Sequence, residues 1–465
     1  MKRTTGNAAR VLGVQLVGED LSYGVVSSDS RTLEPGSLFV ALRGPNFDGA
    51  DFVAAAAARG AVAALVERRV SAPLTQIVVP DALRALQQLA SAWRAEFDFP
   101  IVGVAGSNGK TTAKTMTGAI LSRTGLCMAT QGNLNNHIGV PLTLMRLTSL
   151  HRSAVVEMGA NRIGDVAELV KIARPTIGLI TNAGAEHLEG FGDLDGVAQG
   201  EGEMVAGLPP EATAIINADD PYAGYWQSVA GARRIVTFGA AAGIPADRGA
   251  VSGVPADFAA KDAVQSIERG EFQTRFTLRC PLGERPILLK AGGAHNIANA
   301  LAAAAAAAAA GASLEDIASG LADFRAVSGR LQLKAGPRGS WIIDDSYNAN
   351  PSSVRAGLEV LRSLSGPTWL VLADMAELGE QTADMHAHVG SYARDCGVKR
   401  LFAMGTQSSR AVETFGPGGE WFADPNALIR RLQAELIPGV TLLVKGSRVN
   451  RLERVVQALT GGAKA

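Results

Sequence analysis

The sequence predicts an α/β protein of three domains, and three observations carry that expectation. At 465 residues the chain exceeds what one ordinary core holds, and a length prior suggests about three domains. Short apolar, β-branched runs alternate with helix-patterned segments near the N-terminus, and the alternation restarts after Gly329-Arg330. Between these regions, residues 99–112 read FPIVGVAGSNGKTT, an apolar strand, a glycine-interrupted turn and a helix opening at Lys110-Thr111-Thr112. The expected boundaries are 1–98 for a small α/β domain, 99–328 for a central phosphate-loop α/β domain, and 329–465 for a doubly wound domain.

Composition narrows the function classes. Lys plus Arg and Asp plus Glu both number 44, so no net basic field argues for nucleic acid or an anionic membrane surface. Cys127, Cys280 and Cys396 lie too far apart for a metal motif, and an odd, sparse set fits a reducing compartment. The opening MKRTTGNAARVLG carries charge but no apolar core of a signal peptide. The nearest approach to a bilayer span is the polyalanine run at 302–310, which Asn296, Asn299 and Gly311 bound too tightly. The expectation is a cytoplasmic chain that is not embedded in a membrane.

In the first domain, strands are expected at 38–41, 62–66 and 77–79, with helices at 51–59 and 82–96. The loop at 27–31, with Ser28, Asp29, Ser30 and Arg31, clusters hydroxyls, a carboxylate and a guanidinium. A second loop, RGPNFDG at 43–49, sets glycines around an Asn and an Asp. Such loops could hold a diphosphate or a nucleoside, and the same residues also favour turns for local reasons. Asp98-Phe99-Pro100 suits a boundary, because proline discourages helix in the residue before it.

The central motif is suited to phosphate. Gly106 and Gly109 let the backbone curl so that the amides of Gly106, Ser107, Asn108, Gly109, Lys110, Thr111 and Thr112 can face an anion at a helix N-terminus. Lys110 can reach β- and γ-phosphates, and the Thr111 hydroxyl can ligate magnesium. The stricter phosphate-loop pattern wants glycine at 104, where this chain has Val104. The reading is an ATP or GTP site; glycines that merely permit a turn are the bland alternative.

Glu157 ends an expected strand at 154–157, where open α/β sheets present ligand groups, so it could bind magnesium. His187 follows the next strand, 176–181, and a metal or phosphate role competes there with a structural one. Asn133, Asn135 and Asn136 in the 131–141 segment form either a plain loop or a polar recognition surface. Glu201 and Glu203 read as an acidic turn or helix. Residues 240–290 turn glycine-rich and β-like, with FQTRFTLRC alternating as a strand. Asn296 and Asn299, three apart, share one helix face and could read a base edge, and 302–310 reads as a tightly packed core helix.

In the last domain, WIIDD, TWLVLADM, RLFAMG and TLLVKGS are expected strands alternating with helices. The strand ends DDSYNANP, DMAELG and KGSR would fall on one rim of the sheet.

Taken together, GSNGKTT, NLNNHIGVP, EMGAN, HLEGFG, HNIANALAAA, Gly329-Arg330, DDSYNANP, DMAELG and KGSR resemble the Mur ligase family over most of the chain. The resemblance implies a UDP-binding N-terminal domain, a central ATPase domain and a Rossmann-like C-terminal domain. It implies an ATP- and magnesium-dependent ligase that joins D-alanyl-D-alanine to UDP-N-acetylmuramoyl-tripeptide through an acyl phosphate, in peptidoglycan synthesis. By the same resemblance, Asn296 and Asn299 would lie near adenine, Arg330 at phosphates and Asp345 at the ribose. Lys110, Glu157, His187 and Glu201 would be catalytic, with Thr111, Glu157, His187 and Glu201 serving magnesium. Ser28, Asp29, Ser30 and Arg31 would hold the UDP-sugar. Asn133, Asn135, Asn136, Tyr347, Asn348, Asn350, Lys445 and Arg448 would face the peptide substrates. A monomer is expected, and the third residue of the peptide stays open between lysine and diaminopimelate.

One position departs from the family pattern. Aligning GEMVAGLP with the family's KGEIFxGLP places Glu201 where a lysine carbamylated by CO2 usually ligates a second magnesium. Glutamate offers a carboxylate directly, on a stem shorter by roughly 4 Å. The expectation is that Glu201 substitutes for the carbamate; the alternative is that it is idle. Two rival readings lack their signatures. A sibling ligase for a diamino acid would carry Asp-Asn-Pro-Arg, and a guanine-reading switch Asn-Lys-x-Asp, and neither occurs.

Overall fold

The structure is a computed structural model and describes residues 3–239 and 255–461. The glycine-rich stretch expected at the start of 240–290 therefore lies, up to residue 254, outside the described residues. Three sheets of five or six strands dominate, each parallel in its interior and covered by helices, as buried parallel strands require.

In the first sheet the strands lie in the order Leu16–Val17, Thr75–Val78, Ala63–Val66, Leu38–Val40, Val26–Ser27, with only the first pair antiparallel. The helix expected at 51–59 starts as a 3-10 turn, Gly49–Phe52, because Asp48 accepts from Ala50 N and tightens the entry; the α-helix proper is Val53–Ala58. The helix Ala82–Arg94 is capped by Asp81.

The central sheet is wholly parallel, in the order Arg234–Phe238, Thr213–Asn217, Ile177–Ile180, Ile101–Ala105, Ser153–Glu157, Cys127–Ala129. The strand before the phosphate loop thus sits in mid-sheet with Ser153–Glu157 beside it, Glu157 opposite Val104. Its residues alternate: Ile101 and Ala105 join the core shared with the first sheet's helices, and Val102 and Val104 the core under the polyalanine helix. That helix, Ala294–Ala309, has Ala302 to Ala307 fully buried, and it packs on the helix Lys110–Leu121. A three-stranded antiparallel sheet, Ala259–Glu268, Glu271–Cys280 and Gly283–Leu289, follows the central strands. In its middle strand Phe272, Thr274, Phe276, Leu278 and Cys280 are buried while Glu271, Arg275 and Arg279 are exposed, so the expected alternation is one covered face.

The last sheet runs Gln332–Ala335, Trp341–Asp345, Thr441–Lys445, Thr368–Ala373, Arg400–Met404, Gly419–Phe422. Its first pair is antiparallel and the rest parallel. The edge strands Gln332–Ala335 and Gly419–Phe422 are not expected from the pattern: each is four residues long and only partly buried, so neither shows a hydrophobic run. The three polar strand ends do share one rim, since Trp341–Asp345, Thr441–Lys445 and Thr368–Ala373 are parallel neighbours. No helix among the described residues is long and apolar enough to cross a membrane.

The phosphate-loop helix is also pressed by the helix Leu314–Asp323, where a Cβ on Gly320 would lie 2.4 Å from Ile120 Cα. Overpacking of this kind costs ~1–3 kcal/mol, against a helix-propensity gain of about 1 kcal/mol. With backbone rather than a side chain in the way, the clash wins. Gly320→Ala is expected to lower the denaturant midpoint with unchanged slope; a rise in midpoint would show that the helices separate freely.

Candidate active site

Past the carboxyl ends of the central strands lies a cleft of about 400 Å³, closed on its far side by the strand end and loop at 345–350, the first turn of the helix Pro351–Arg362, and Lys445. That volume lies within the range of small-molecule sites, ~300–1,000 Å³.

The phosphate loop forms its floor. Gly106 and Gly109 have φ of 120° and 86°. A Cβ on Gly106 would stand 2.1 Å from Thr181 Oγ1, and one on Gly109 2.2 Å from Asn299 Oδ1. At Gly106 the backbone of Thr181 and Asn182 also stands within 3.0 Å, and at both positions the positive φ strains any other residue. The loop is pinned from outside: Thr181 Oγ1 and Asn182 Nδ2 donate to Asn108 O at 2.7 and 2.8 Å, and Asn108 N donates to Asn182 Oδ1 at 3.0 Å. Gly184 N donates to Ser107 Oγ at 2.8 Å. The helix Lys110–Leu121 then starts at the cleft, its N-terminal amides and dipole favouring an anion.

Lys110 is folded back under this loop. Its Nζ donates to Gly106 O, to Ser107 O at 3.0 Å and to Glu186 Oε1 at 3.1 Å. Burial alone would lower its pKa, but Glu186, Glu201 and Glu157 outweigh it and hold the ammonium above its ordinary value. Glu201, 2% exposed on the helix Leu194–Ala206, accepts from Gly106 N at 2.6 Å. Burial pushes its carboxyl up to about 7, with Lys110 opposing and Glu186 reinforcing. It supports the loop from behind and does not line the cleft.

Glu157 is the candidate metal carboxylate. Its Oε1 accepts from Asn135 Nδ2 at 2.9 Å and from Thr111 Oγ1 at 3.2 Å. Its Oε2 is buried without a hydrogen-bond partner, 3.1 Å from Lys114 Nζ. Among the described residues no three His, Cys, Asp or Glu side chains gather as a metal group. Magnesium, however, is commonly held by one or two carboxylates plus substrate phosphates and water. Thr111 and Glu157, a strand-end carboxylate lining the cleft beside the Thr111 hydroxyl, fit that pattern.

Asn299 Nδ2 donates to Asn296 Oδ1 at 3.2 Å, so the two asparagines do meet at the cleft wall. Arg330 reaches across to Thr111 Oγ1 at 3.0 Å and stacks on Tyr347, 4.5 Å from the ring centroid. Asp345 accepts from Leu331 N at 3.2 Å and from Lys445 Nζ at 2.6 Å, and Lys445 also donates to Asn348 O at 3.0 Å. Asn350 caps the helix Pro351–Arg362 and donates to Asn108 Oδ1 at 2.9 Å and Glu186 Oε2 at 3.3 Å.

Other expected residues lie apart. Of the three asparagines at 133–136, Asn135 alone lines the cleft; Asn136 Oδ1 accepts from Ile138 N at 3.1 Å and Gly139 N at 2.9 Å in the turn before the helix Gly139–Leu144, and Asn133 is exposed. The loop expected through 141 therefore ends in a helix. Arg448 is outside the cleft lining and pairs with Glu453 at 3.3 Å. Ser28, Asp29, Ser30 and Arg31 are also outside it, with Asp29 and Arg31 paired at 2.8 Å. His187 lines the cleft, with φ of 50°, and its Nδ1 faces Glu377 of the DMAELG loop.

Two cleft residues, Glu186 and Asn182, and the buried Lys114 behind Glu157 are not singled out by the sequence. Lys114 hides in the phosphate-loop helix, yet stands three residues after Thr111 on the same face. Glu186 is masked by its neighbour His187, and Asn182 looks like any loop asparagine. Their signal is position alone, all following or facing strand ends.

The DMAELG loop is fixed by His386, which is fully buried. Its Nε2 accepts from Met375 N at 2.9 Å, and Nδ1 sits 2.7 Å from Thr382 O, which assigns the proton to Nδ1.

Comparison with known proteins places these features in a family. Residues 104–307 match the Mur ligase middle domain, 329–448 the family described as Mur ligase, glutamate ligase domain, and 22–94 that described as Mur ligase family, catalytic domain. The UDP-N-acetylmuramoyl-tripeptide–D-alanyl-D-alanine ligase of Escherichia coli is 43% identical over 458 residues, covering 98% of each chain. Its counterpart in Bacillus subtilis is 34% identical, over 99% of this chain and 98% of that one. A crystal structure of MurF from Acinetobacter baumannii superposes with a TM-score of 0.88 at 32% identity, covering 99% of both chains. A MurF ligase from Thermotoga maritima, in complex with ADP, gives 0.81 at 26% identity over 94% of this chain and 97% of that one.

Burial lowers the pKa of His386 below its usual 6.5, against the pull of Thr382 and Asp374. The unfolded chain therefore takes up the proton first as pH falls, so this contribution is full above the unfolded value and lost below it. Between about pH 7 and pH 5, the drop in melting temperature is expected to be smaller in His386→Gln than in the parent protein. Equal drops would show that His386 is not the titrating group.

Proposed function

Because the chain belongs to the Mur ligase family, we propose that it joins D-alanyl-D-alanine to UDP-N-acetylmuramoyl-tripeptide, making the pentapeptide precursor of peptidoglycan. The observation that carries this reading is the shared cleft: a phosphate loop on one sheet and the polar strand ends of another enclose one volume. It is an ATP-dependent ligase forming an amide bond, with magnesium as its metal.

The chemistry requires two transfers in one place. An oxygen of the tripeptide carboxylate attacks the γ-phosphorus, ADP leaves, and an acyl phosphate remains. The neutral amine of the dipeptide then attacks the acyl carbon, phosphate departs and the amine's proton is released. Lys110 and the amides of residues 109–112 offset charge on the transferring phosphoryl group, by positioning and electrostatics; the expected amides of Gly106, Ser107 and Asn108 are instead spent on Glu201 and Asn182, which hold the loop in shape. Thr111 and Glu157 would hold magnesium, with His187 and Glu201 as further candidates; bound there, the ion would screen phosphate charge. Asn296 and Asn299 would meet adenine, Arg330 the phosphates and Asp345 the ribose. Ser28, Asp29, Ser30 and Arg31 would take the UDP-sugar, while Tyr347, Asn348, Asn350, Lys445 and Arg448 would face the peptides. Closure of the cleft between the two sheets would exclude water from the acyl phosphate.

A monomer is the proposed state. The cytoplasm is the proposed compartment: ATP and the nucleotide-linked substrate are there, and the three cysteines are free.

Phosphate release is expected to need both the UDP-tripeptide and the dipeptide; steady turnover with ATP alone would favour a nucleotide-driven switch. Lys110→Ala is expected to lose roughly 10²-fold or more in kcat, and full-speed ligation by that variant would overturn the assignment. If Glu201 stands in for a carbamylated lysine, turnover is indifferent to bicarbonate and Glu201→Ala is impaired. Loss of activity on CO2 depletion, or an unaffected Glu201→Ala enzyme, would refute that role.

A further inference from the structure

Glu186 has no role in the chemistry above, yet it is placed on the group that the nucleotide needs. Its residue is 9% exposed, and its side chain bridges two parts of the molecule. Oε1 lies 3.1 Å from Lys110 Nζ, and Oε2 accepts from Asn350 Nδ2 at 3.3 Å. The same Asn350 amide donates to Asn108 Oδ1 at 2.9 Å. Lys110 is thus bound by a carboxylate and two loop carbonyls, all of which a terminal phosphate would have to displace or share.

From this geometry we propose that Glu186 is a positioning residue that stands in for the terminal phosphate on Lys110 and yields the lysine when ATP arrives. The proposal rests on the ATP-site reading given above. Its physical basis is compensation of a buried charge. A P-loop ammonium under its own loop needs an anion, and leaving it unpaired there is costly. Glu186 supplies that anion from the segment between the strand Ile177–Ile180 and the short helix Leu188–Phe191. Once Lys110 turns to phosphate, Glu186 keeps its second partner, Asn350, at the positive end of the twelve-residue helix Pro351–Arg362. The hand-over therefore changes one side of a contact whose other side belongs to the last sheet, so nucleotide arrival is felt at the strand ends 345–350 where that sheet meets the cleft.

The test is equilibrium binding of ATP with magnesium, without the peptide substrates, in Glu186→Gln and Glu186→Asp. Gln removes the charge. Asp keeps it on a stem shorter by about 1.5 Å, out of reach of Lys110. If Glu186 competes for the lysine, both variants bind ATP about five- to tenfold more tightly than the parent. If it merely repels phosphate, Gln tightens binding and Asp does not; if it is a structural brace, both loosen it. Either of these results overturns the proposal. A second measurement repeats Glu186→Asp in a Lys110→Met background, again with ATP and magnesium, where the gain is expected to vanish; its persistence would also overturn the proposal. A parent protein with no measurable ATP binding would instead defeat the ATP-site reading itself.

Discussion

A single ammonium sets the terms for the site. Lys110 lies folded under the loop, on the carbonyls of Gly106 and Ser107, which puts a full positive charge under a backbone turn. Charges in such surroundings persist only when paired. The carboxylates of Glu186, Glu201 and Glu157 meet that demand from three different elements, and each element is thereby tied to the loop. The cluster is as much a constraint on the fold as on the chemistry: Glu186 pairs with Lys110 directly, Glu201 holds Gly106 N and Glu157 holds Thr111 and Lys114, so three elements gather round one loop.

Convergence is achieved by sheet order. The strand that feeds the loop lies between Ser153–Glu157 and Ile177–Ile180, so Glu157 and the Thr181–Glu186 segment fall on either side of it without special turns. The last sheet presents its own strand ends toward the same point, and Arg330, Asn350 and Glu377 make the contacts across the gap. Two sheets with their carboxyl ends facing each other enclose a volume that neither could enclose alone.

Much of this was legible in the residues. The phosphate loop, the strand-end position of Glu157, the pairing of Asn296 with Asn299 and the shared rim of the last sheet all follow from short-range rules of strand, turn and helix. What escaped depends on distance in sequence. Nothing local in Ala185-Glu186-His187 says that the glutamate meets a lysine 76 positions earlier. Lys114 reads as a surface helix residue until Glu157 is placed beside it. The loop at 27–31 stays outside the central cleft, because its partners are its own backbone and side chains. Glu201 was singled out by comparison with a pattern, but only the fold puts it behind the glycine at 106.

The polyalanine helix has a consequence of its own. Six consecutive fully buried alanines, Ala302 to Ala307, back the helix that begins at Lys110. Alanine has no rotamers to freeze, so ordering this wall forfeits almost no side-chain entropy. It also has no alternative packing to relax into. The support beneath the phosphate loop is therefore ordered cheaply, by backbone and methyl groups alone, with no long side chains to fix in place.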